Sequence, residues 1–328
     1  MKALTFHSFG DSSVLTYQEH PTPELQSNEV LIEMKAIGLN FADIYRRKGN
    51  YHLEGTPPYL LGYEGSGLIV RLGDAVTDLH VGQRIAFADV PNANAEFVTA
   101  PQDKIISLPD SISYETGASV LLQGLTAHYL TRDSYDIRPR DLVLIHAAAG
   151  GVGQLLTQIV RLRGAIPIGL TSSQEKAAIA KQNGCEHVFL YSDDWVGQLH
   201  TLTNQRGVDV VYESVGSTLM ESFQATKVHG TVVFYGMAGG DPVAIDPRFL
   251  MDTSKTLTGG DLWNVLTTRE ERIRRAGELF SWIQSDQLRL APPTLFPLSD
   301  GKRAHDYLES RQSTGKILLI PSDESDLD

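Results

Sequence analysis

One cysteine, Cys185, is present in 328 residues. That excludes an intramolecular disulfide and any metal site built on several thiolates. Placed after Asn183-Gly184, Cys185 reads as a small core or near-surface residue at a helix end rather than a reactive thiol. Positive charge is also scarce. With 28 Lys and Arg against 40 Asp and Glu, the formal net charge is −12, which argues against a broad phosphate-neutralising surface for nucleic acid. The densest basic run, Arg46-Arg47-Lys48, is short and reads as a solvated helix end. Long apolar runs are missing as well. The longest uncharged stretch, residues 142–160, carries His146, Gln154, Thr157, Gln158 and three glycines, so it reads as strand, turn and helix rather than a membrane span. The opening ten residues read as a strand with no secretory leader, and a cytoplasmic location is expected.

The familiar signatures of metal and serine hydrolysis are absent too. The ten histidines are scattered, with no HExxH or close His/Cys cluster. No GxSxG elbow surrounds Ser119. No metal site is expected.

What is present points to a two-domain α/β protein. At 328 residues the chain is too long for one comfortable core, and 29 glycines suit many tight turns. The first hundred residues carry short alternating or β-branched runs, such as 29–35 and 67–71, which predict a mainly β domain. From Leu142 the rhythm changes. Apolar runs at 142–146, 165–170, 187–190, 208–212 and 231–235 alternate with helical segments, which predicts βαβ units and a doubly wound parallel sheet. Val152, Leu155, Leu156, Ile159 and Val160 fall on one helical stripe. Further on lie a charged amphipathic helix over 269–284, a proline-rich return, a strand within 315–321, and an acidic tail, Asp323 to Asp328, expected to fray.

The most informative segment is Asp141-Leu-Val-Leu-Ile-His-Ala-Ala-Ala-Gly-Gly-Val-Gly153. A strand runs straight into glycines and then into the helix just described, the arrangement in which a backbone can approach a pyrophosphate at a helix N-terminus. The spacing departs from a strict GxGxxG, but its placement predicts dinucleotide binding. At the end of the next strand, where a carboxylate would hold the ribose of NAD, the chain reads Gly169-Leu-Thr-Ser-Ser173. Two hydroxyls followed by Lys176 favour a 2′-phosphate instead, and so NADPH.

Several segments resemble the quinone oxidoreductase branch of the medium-chain dehydrogenases/reductases. They are Met1-Lys-Ala-Leu, residues 35–49 with Asn40-Phe-Ala-Asp-Ile-Tyr45, Leu61-Gly-Tyr-Glu-Gly-Ser-Gly67, Gln123-Gly-Leu-Thr-Ala127, His146-Ala-Ala-Ala-Gly-Gly-Val-Gly153 and Val211-Tyr-Glu-Ser-Val-Gly216. The likeness runs from residue 1 to about 321. In zinc-dependent relatives a cysteine ligand stands at Asn40 and a histidine ligand at Tyr63, so the resemblance implies a metal-free reductase. It also implies a GroES-like β-rich catalytic domain (1–122 and 264–328), an inserted Rossmann NADPH-binding domain (123–263), a substrate site in the cleft between them, and a homodimer.

Site residues follow from the same resemblance. Asn40, Phe41, Asp43 and Tyr45 would lie near nicotinamide and acceptor, with Asn40, Tyr45 and Asp43 as catalytic candidates. Gln123, Thr126 and Tyr129 would approach the nicotinamide half, and Gly151, Val152 and Gly153 the pyrophosphate. Ser172, Ser173, Lys176 and Tyr191 would meet the adenosine end, and Ser214 would face the cofactor. Read without the resemblance, Asn40 is a helix cap, Asp43 a structural acceptor and Tyr45 a packed aromatic. Two segments, Gly236-Met-Ala-Gly-Gly240 and Leu257-Thr-Gly-Gly-Asp-Leu-Trp-Asn264, depart from the bacterial pattern and bear on the acceptor rather than the cofactor.

The expected reaction is transfer of hydride or electrons from NADPH to a quinone or other electrophilic acceptor, with Asn40 and Tyr45 bonding a carbonyl oxygen as it gains charge. The rivals are reduction of an activated carbon–carbon double bond in an enal, enone or enoyl thioester, and a non-catalytic NADPH-binding crystallin-like or RNA-binding role.

Overall fold

The β-branched and leucine-rich runs of the first hundred residues pair as sheets, and in the computed structural model, which describes residues 1–53 and 55–321, they are joined by strands from the far end of the chain. The acidic tail predicted to fray lies outside the described residues. Two compact units result. Among the described residues, one holds those within 1–122, 266–284 and 290–321; the other holds Gln123–Val265 and Ser285–Arg289.

The first unit is organised around the long strand Glu29–Leu39, which pairs antiparallel with Glu64–Leu72, Phe97–Pro101 and Ile317–Ile320. Thr294–Pro297 extends the sheet beyond Ile317–Ile320, and Arg84–Ala88 and Ile106–Ser107 extend it on the other side. Alternate residues face one core, including Val30, Ile32, Ile37, Leu39, Ile69, Ile85, Phe87, Ile317 and Leu319, the period-2 pattern of a sheet buried on one face. Where the long strand ends, helix α1 (Phe41–Arg47) begins, with Asn40 as its N-cap. The charged helix predicted over 269–284 forms as Arg269–Gln284.

The second unit contains a six-stranded, all-parallel sheet in the order His187–Leu190, Ile166–Thr171, Leu142–Ile145, Val208–Glu213, Thr226–Phe234, Thr256–Gly259. The order reverses between the first strand in sequence and the fourth, the topological switch point at which doubly wound sheets bind ligands. The five predicted strands are all present. The sixth, Thr256–Gly259, was not predicted, being only four residues long and carrying two threonines and a glycine. Thr226–Phe234 begins five residues earlier than its apolar run because a register shift near Val208 lets its polar start pair. Ser285–Arg289 goes with this unit rather than with the β-rich one, held by paired bonds between the Arg289 backbone and the Gln158 carboxamide, at 2.8 and 3.0 Å.

The basic run at the end of α1 corrects the expectation of a solvated helix end. Only Lys48 is exposed; Arg46 and Arg47 are buried. Arg47 donates to the Gly10 carbonyl at 3.2 Å, meets His305 Nδ1 at 3.0 Å and pairs with Glu309. Arg46 donates to the His52 carbonyl and stacks its guanidinium on Tyr63, 3.7 Å from the ring centre. Partners that composition cannot reveal turn these side chains inward, those of Arg47 distant in sequence and those of Arg46 in the loop that follows.

His305 is fully buried, and burial together with the adjacent Arg47 pushes its pKa down to about 3. An unfolded histidine titrates near 6.5, so between these values protons are taken up only on unfolding. The stability that neutral His305 confers is therefore complete above about pH 6.5 and is lost as pH falls towards 3. We expect the melting temperature to fall from pH 6.5 to 4 more steeply in the native protein than in a His305→Gln variant. Parallel slopes in the two melting series would assign the pH dependence to other groups.

Candidate active site

The sharpest local geometry lies in the second unit, where the strand Leu142–Ile145 turns into helix α3 (Gly151–Leu162). Ala147 adopts a left-handed conformation with φ 48°, and the Gly150 N–H closes the turn on its carbonyl at 2.8 Å. A Cβ on Gly153 would sit 2.3 Å from the Ala147 oxygen and 2.8 Å from the Ala148 Cα. These are backbone atoms that cannot yield, so only glycine allows this crossing. A Cβ on Gly151 would instead meet the Gln123 carboxamide, the flexible end of a side chain. The first N–H groups of α3, on Gly151, Val152 and Gly153, have no intrahelical acceptor and point along the positive end of the helix dipole. Such a cluster of donors can receive a diphosphate, and Gln123 lies against it.

Beneath the loop is a buried polar network absent from the sequence reading. His146 Nδ1 meets the Tyr191 hydroxyl at 3.2 Å, and its Nε2 meets Ser222 Oγ at 3.0 Å. Ser222 and Thr218 both donate to Glu213, whose other oxygen takes the Val215 and Gly216 N–H groups. Burial pushes the His146 pKa down despite Glu213 beside it. Burial opposes ionisation of Glu213 too, but His146, Ser222 and the two backbone N–H groups hold its carboxyl below the usual range. Tyr191, predicted at the adenosine end, also accepts the Ala147 N–H at 3.0 Å. Its hydroxyl thus helps to hold the loop in its left-handed turn.

Other predicted positions are distributed as follows. Ser172 is exposed at the end of its strand. Ser173 caps helix α4 (Gln174–Gln182), accepting the Lys176 N–H at 3.3 Å, and its hydroxyl also bonds Glu175. Lys176 is half-buried in the first turn. Ser214 follows the fourth strand and accepts the Ala238 N–H on its carbonyl at 3.0 Å. In helix α2 (Tyr114–Tyr129), Thr126 is buried, as is Tyr129, which donates its hydroxyl to the Gly260 carbonyl at 2.9 Å. That bond braces the Gly259-Gly260 segment.

The first unit brings Asn40, Phe41, Asp43 and Tyr45 together at the start of α1. Tyr45 is half-buried, its ring 6.3 Å from that of Phe41. Asp43 is only 1 % exposed. Its two oxygens accept the Asn40 N–H at 2.9 Å and the Gly62 N–H at 3.2 Å, and burial raises its pKa against the pull of Arg46. Both oxygens are thus engaged by backbone donors, and Asp43 fixes the helix start. The Asn40 side chain is also engaged. Its Nδ2 donates to Glu64 Oε2 at 3.0 Å and the Gly38 carbonyl at 3.3 Å, and its Oδ1 accepts from Lys316 Nζ at 2.9 Å. Lys316 in turn pairs with Glu64. Neither Glu64 nor Lys316 was singled out from the sequence, where the one sits inside a glycine-rich strand and the other looks like a strand boundary.

Comparison with known proteins places these two clusters in context. A sequence model of the alcohol dehydrogenase GroES-like domain matches residues 26–139, and one of a zinc-binding dehydrogenase matches residues 151–281. A quinone oxidoreductase of Pseudomonas aeruginosa is 36% identical over 324 residues, 98% of this chain and 99% of that protein. The chain belongs to the quinone oxidoreductase family of medium-chain dehydrogenases/reductases. Within that family, the structure of the Escherichia coli quinone oxidoreductase complexed with NADPH superposes with a TM-score of 0.95 at 35% identity, covering 98% of this chain and 100% of that one. A 2-haloacrylate reductase of a Burkholderia species is 33% identical, with 97% of this chain and 98% of that protein covered.

The zinc in one model's description does not fit this quinone oxidoreductase family member. Among the described residues no three His, Cys, Asp or Glu side chains are grouped so as to hold a metal ion. At Asn40 a cation would face the Lys316 ammonium, and the side chains there are already bonded to one another. The glycine cradle, by contrast, fits a dinucleotide.

The two loop glycines should respond differently to a methyl group. Gly153→Ala is expected to lower stability by about 2 kcal/mol or more, as overpacking against backbone does. Gly151→Ala should cost under about 1 kcal/mol, because Gln123 can move. Chemical denaturation of the two variants measures the difference, and equal losses would mean that the Gly153 crossing can relax.

Proposed function

We propose that this protein is an NADPH-dependent quinone reductase that works without a metal ion. The reading rests on the near-full-length match to quinone oxidoreductases, one of them solved with NADPH, on a chain whose glycine loop suits a diphosphate. When bound, NADPH supplies the hydride. The chain's part is to hold and orient. The N–H groups of Gly151, Val152 and Gly153 receive the pyrophosphate. Ser172 and Lys176 receive the 2′-phosphate, at a strand end that carries no carboxylate between Gly169 and Ser173. Tyr45 donates its phenol to the acceptor oxygen as negative charge develops there. With both Asn40 amide hydrogens engaged, Asn40 serves by setting the start of α1 rather than by bonding the acceptor. Protonation of the quinol oxygen can come from water, so no buried general acid is needed.

Among the described residues no helix is long and apolar enough to cross a membrane. We further propose a cytoplasmic homodimer joined through the second unit. Its last strand, Thr256–Gly259, ends the sheet, and the segments around it expose Val228, Val243 and Met251, an edge and apolar groups that a partner copy could cover.

A second reading, reduction of an activated carbon–carbon double bond, is favoured by the likeness to a 2-haloacrylate reductase. NADPH absorbance followed with EDTA-treated protein, offered a para-quinone and an α,β-unsaturated ketone in parallel, separates the two. The quinone should be reduced faster, and NADPH should outperform NADH. Tyr45→Phe should lower kcat by about tenfold or more, and Lys176→Ala should narrow the preference for NADPH by about tenfold. Faster turnover of the enone would move the assignment to double-bond reduction. Tight NADPH binding with no acceptor reduced would make the protein a non-catalytic binder.

A further inference from the structure

Lys316 lies one residue before the strand Ile317–Ile320, near the end of the described chain, yet it is buried against residues from the first quarter of the sequence. A buried ammonium is costly unless paired, and apolar side chains of similar volume usually serve stability as well or better. What a buried ion pair can add is direction. Lysine only donates and a carboxylate only accepts. Placed on either side of the Asn40 carboxamide, Lys316 and Glu64 therefore admit one orientation, with Oδ1 towards the ammonium and Nδ2 towards the carboxylate. A flipped amide would set two donors and two acceptors against each other at once.

The arrangement reaches beyond one side chain. Glu64 is fully buried and its other oxygen takes the Leu122 N–H at 2.6 Å, in the middle of α2. A Cβ on Gly38 would lie 2.3 Å from Glu64 Oε2 and 2.7 Å from the Ala118 carbonyl, so the long strand, α2 and the carboxylate meet without slack. Asn40 is the N-cap of α1, the helix that presents Tyr45.

We propose that Lys316 is a positioning residue for the acceptor half of the site: with Glu64 it fixes the Asn40 carboxamide and, through it, the start of the helix that aims Tyr45. The proposal rests on the quinone reductase reading for its activity test. In Lys316→Met, kcat with a para-quinone falls about tenfold, as small misplacements of reacting groups do. NADPH affinity stays within about twofold, since the glycine cradle is built from the other unit. Lys316→Arg retains most of the kcat.

The double variant Lys316→Met with Glu64→Gln removes the uncompensated charge and should recover melting temperature but not kcat, because the direction imposed on Asn40 is still missing. Recovery of kcat together with melting temperature, or an undiminished kcat in Lys316→Met, would overturn the positioning role. If the native protein reduces no acceptor, the functional reading fails separately. The orientation is then followed by the Asn40 side-chain amide resonance, which Lys316→Met should shift and Lys316→Arg preserve; an unmoved resonance in Lys316→Met rejects the proposal.

Discussion

Glu64 is a carboxylate with no exposed surface, and the geometry of the first unit's site depends on how it is satisfied. One oxygen is taken by a backbone N–H in the middle of α2, the other by an amide and an ammonium. Leaving any of these partners out would strand a buried charge, a penalty of several kcal/mol. The groups around it are therefore bound to a narrow set of positions. The Cβ-free passage at Gly38 is part of the same constraint, since a side chain there would collide with the carboxylate and with the carbonyl of Ala118.

The second unit solves a comparable problem with an imidazole. His146 directly precedes the left-handed turn at Ala147, and a chain of hydroxyls from Tyr191 to Ser222 joins it to Glu213. Glu213 takes the Val215 and Gly216 N–H groups as well, so the ends of two neighbouring strands, first and fourth in sequence, are tied at the place where the sheet reverses its order. Both units thus fix a loop over a strand end by satisfying a buried acid. The acid in one unit is matched by a cation, that in the other by hydroxyls, backbone donors and an imidazole.

The cofactor half was largely legible in the sequence because its information is local. Strand, glycines and helix stripe follow one another within about 20 residues, so periodicity and turn chemistry suffice. The resemblance supplied Asn40 and Tyr45, but it could not tell a side chain that touches an acceptor from one that holds its neighbour. Asp43 bonds the Asn40 N–H and Tyr129 the Gly260 carbonyl, contacts that no local pattern in the sequence announces. Arg47 reads as solvated because its partners, Gly10, His305 and Glu309, lie far along the chain. Lys316 and Glu64 are 252 residues apart, and no local pattern links them.

That separation has a consequence for how the protein is made. The strand Glu29–Leu39 is completed on one side by Ile317–Ile320, and Glu64 is neutralised only when Lys316 arrives. All six strands of the parallel sheet, by contrast, come from one continuous stretch of chain. During synthesis the middle of the protein can reach its native pairing while the beginning still waits for the end. A ribosome stalled before residue 316 would hold a paired parallel sheet attached to an open β-rich sheet whose central acid still lacks its cation.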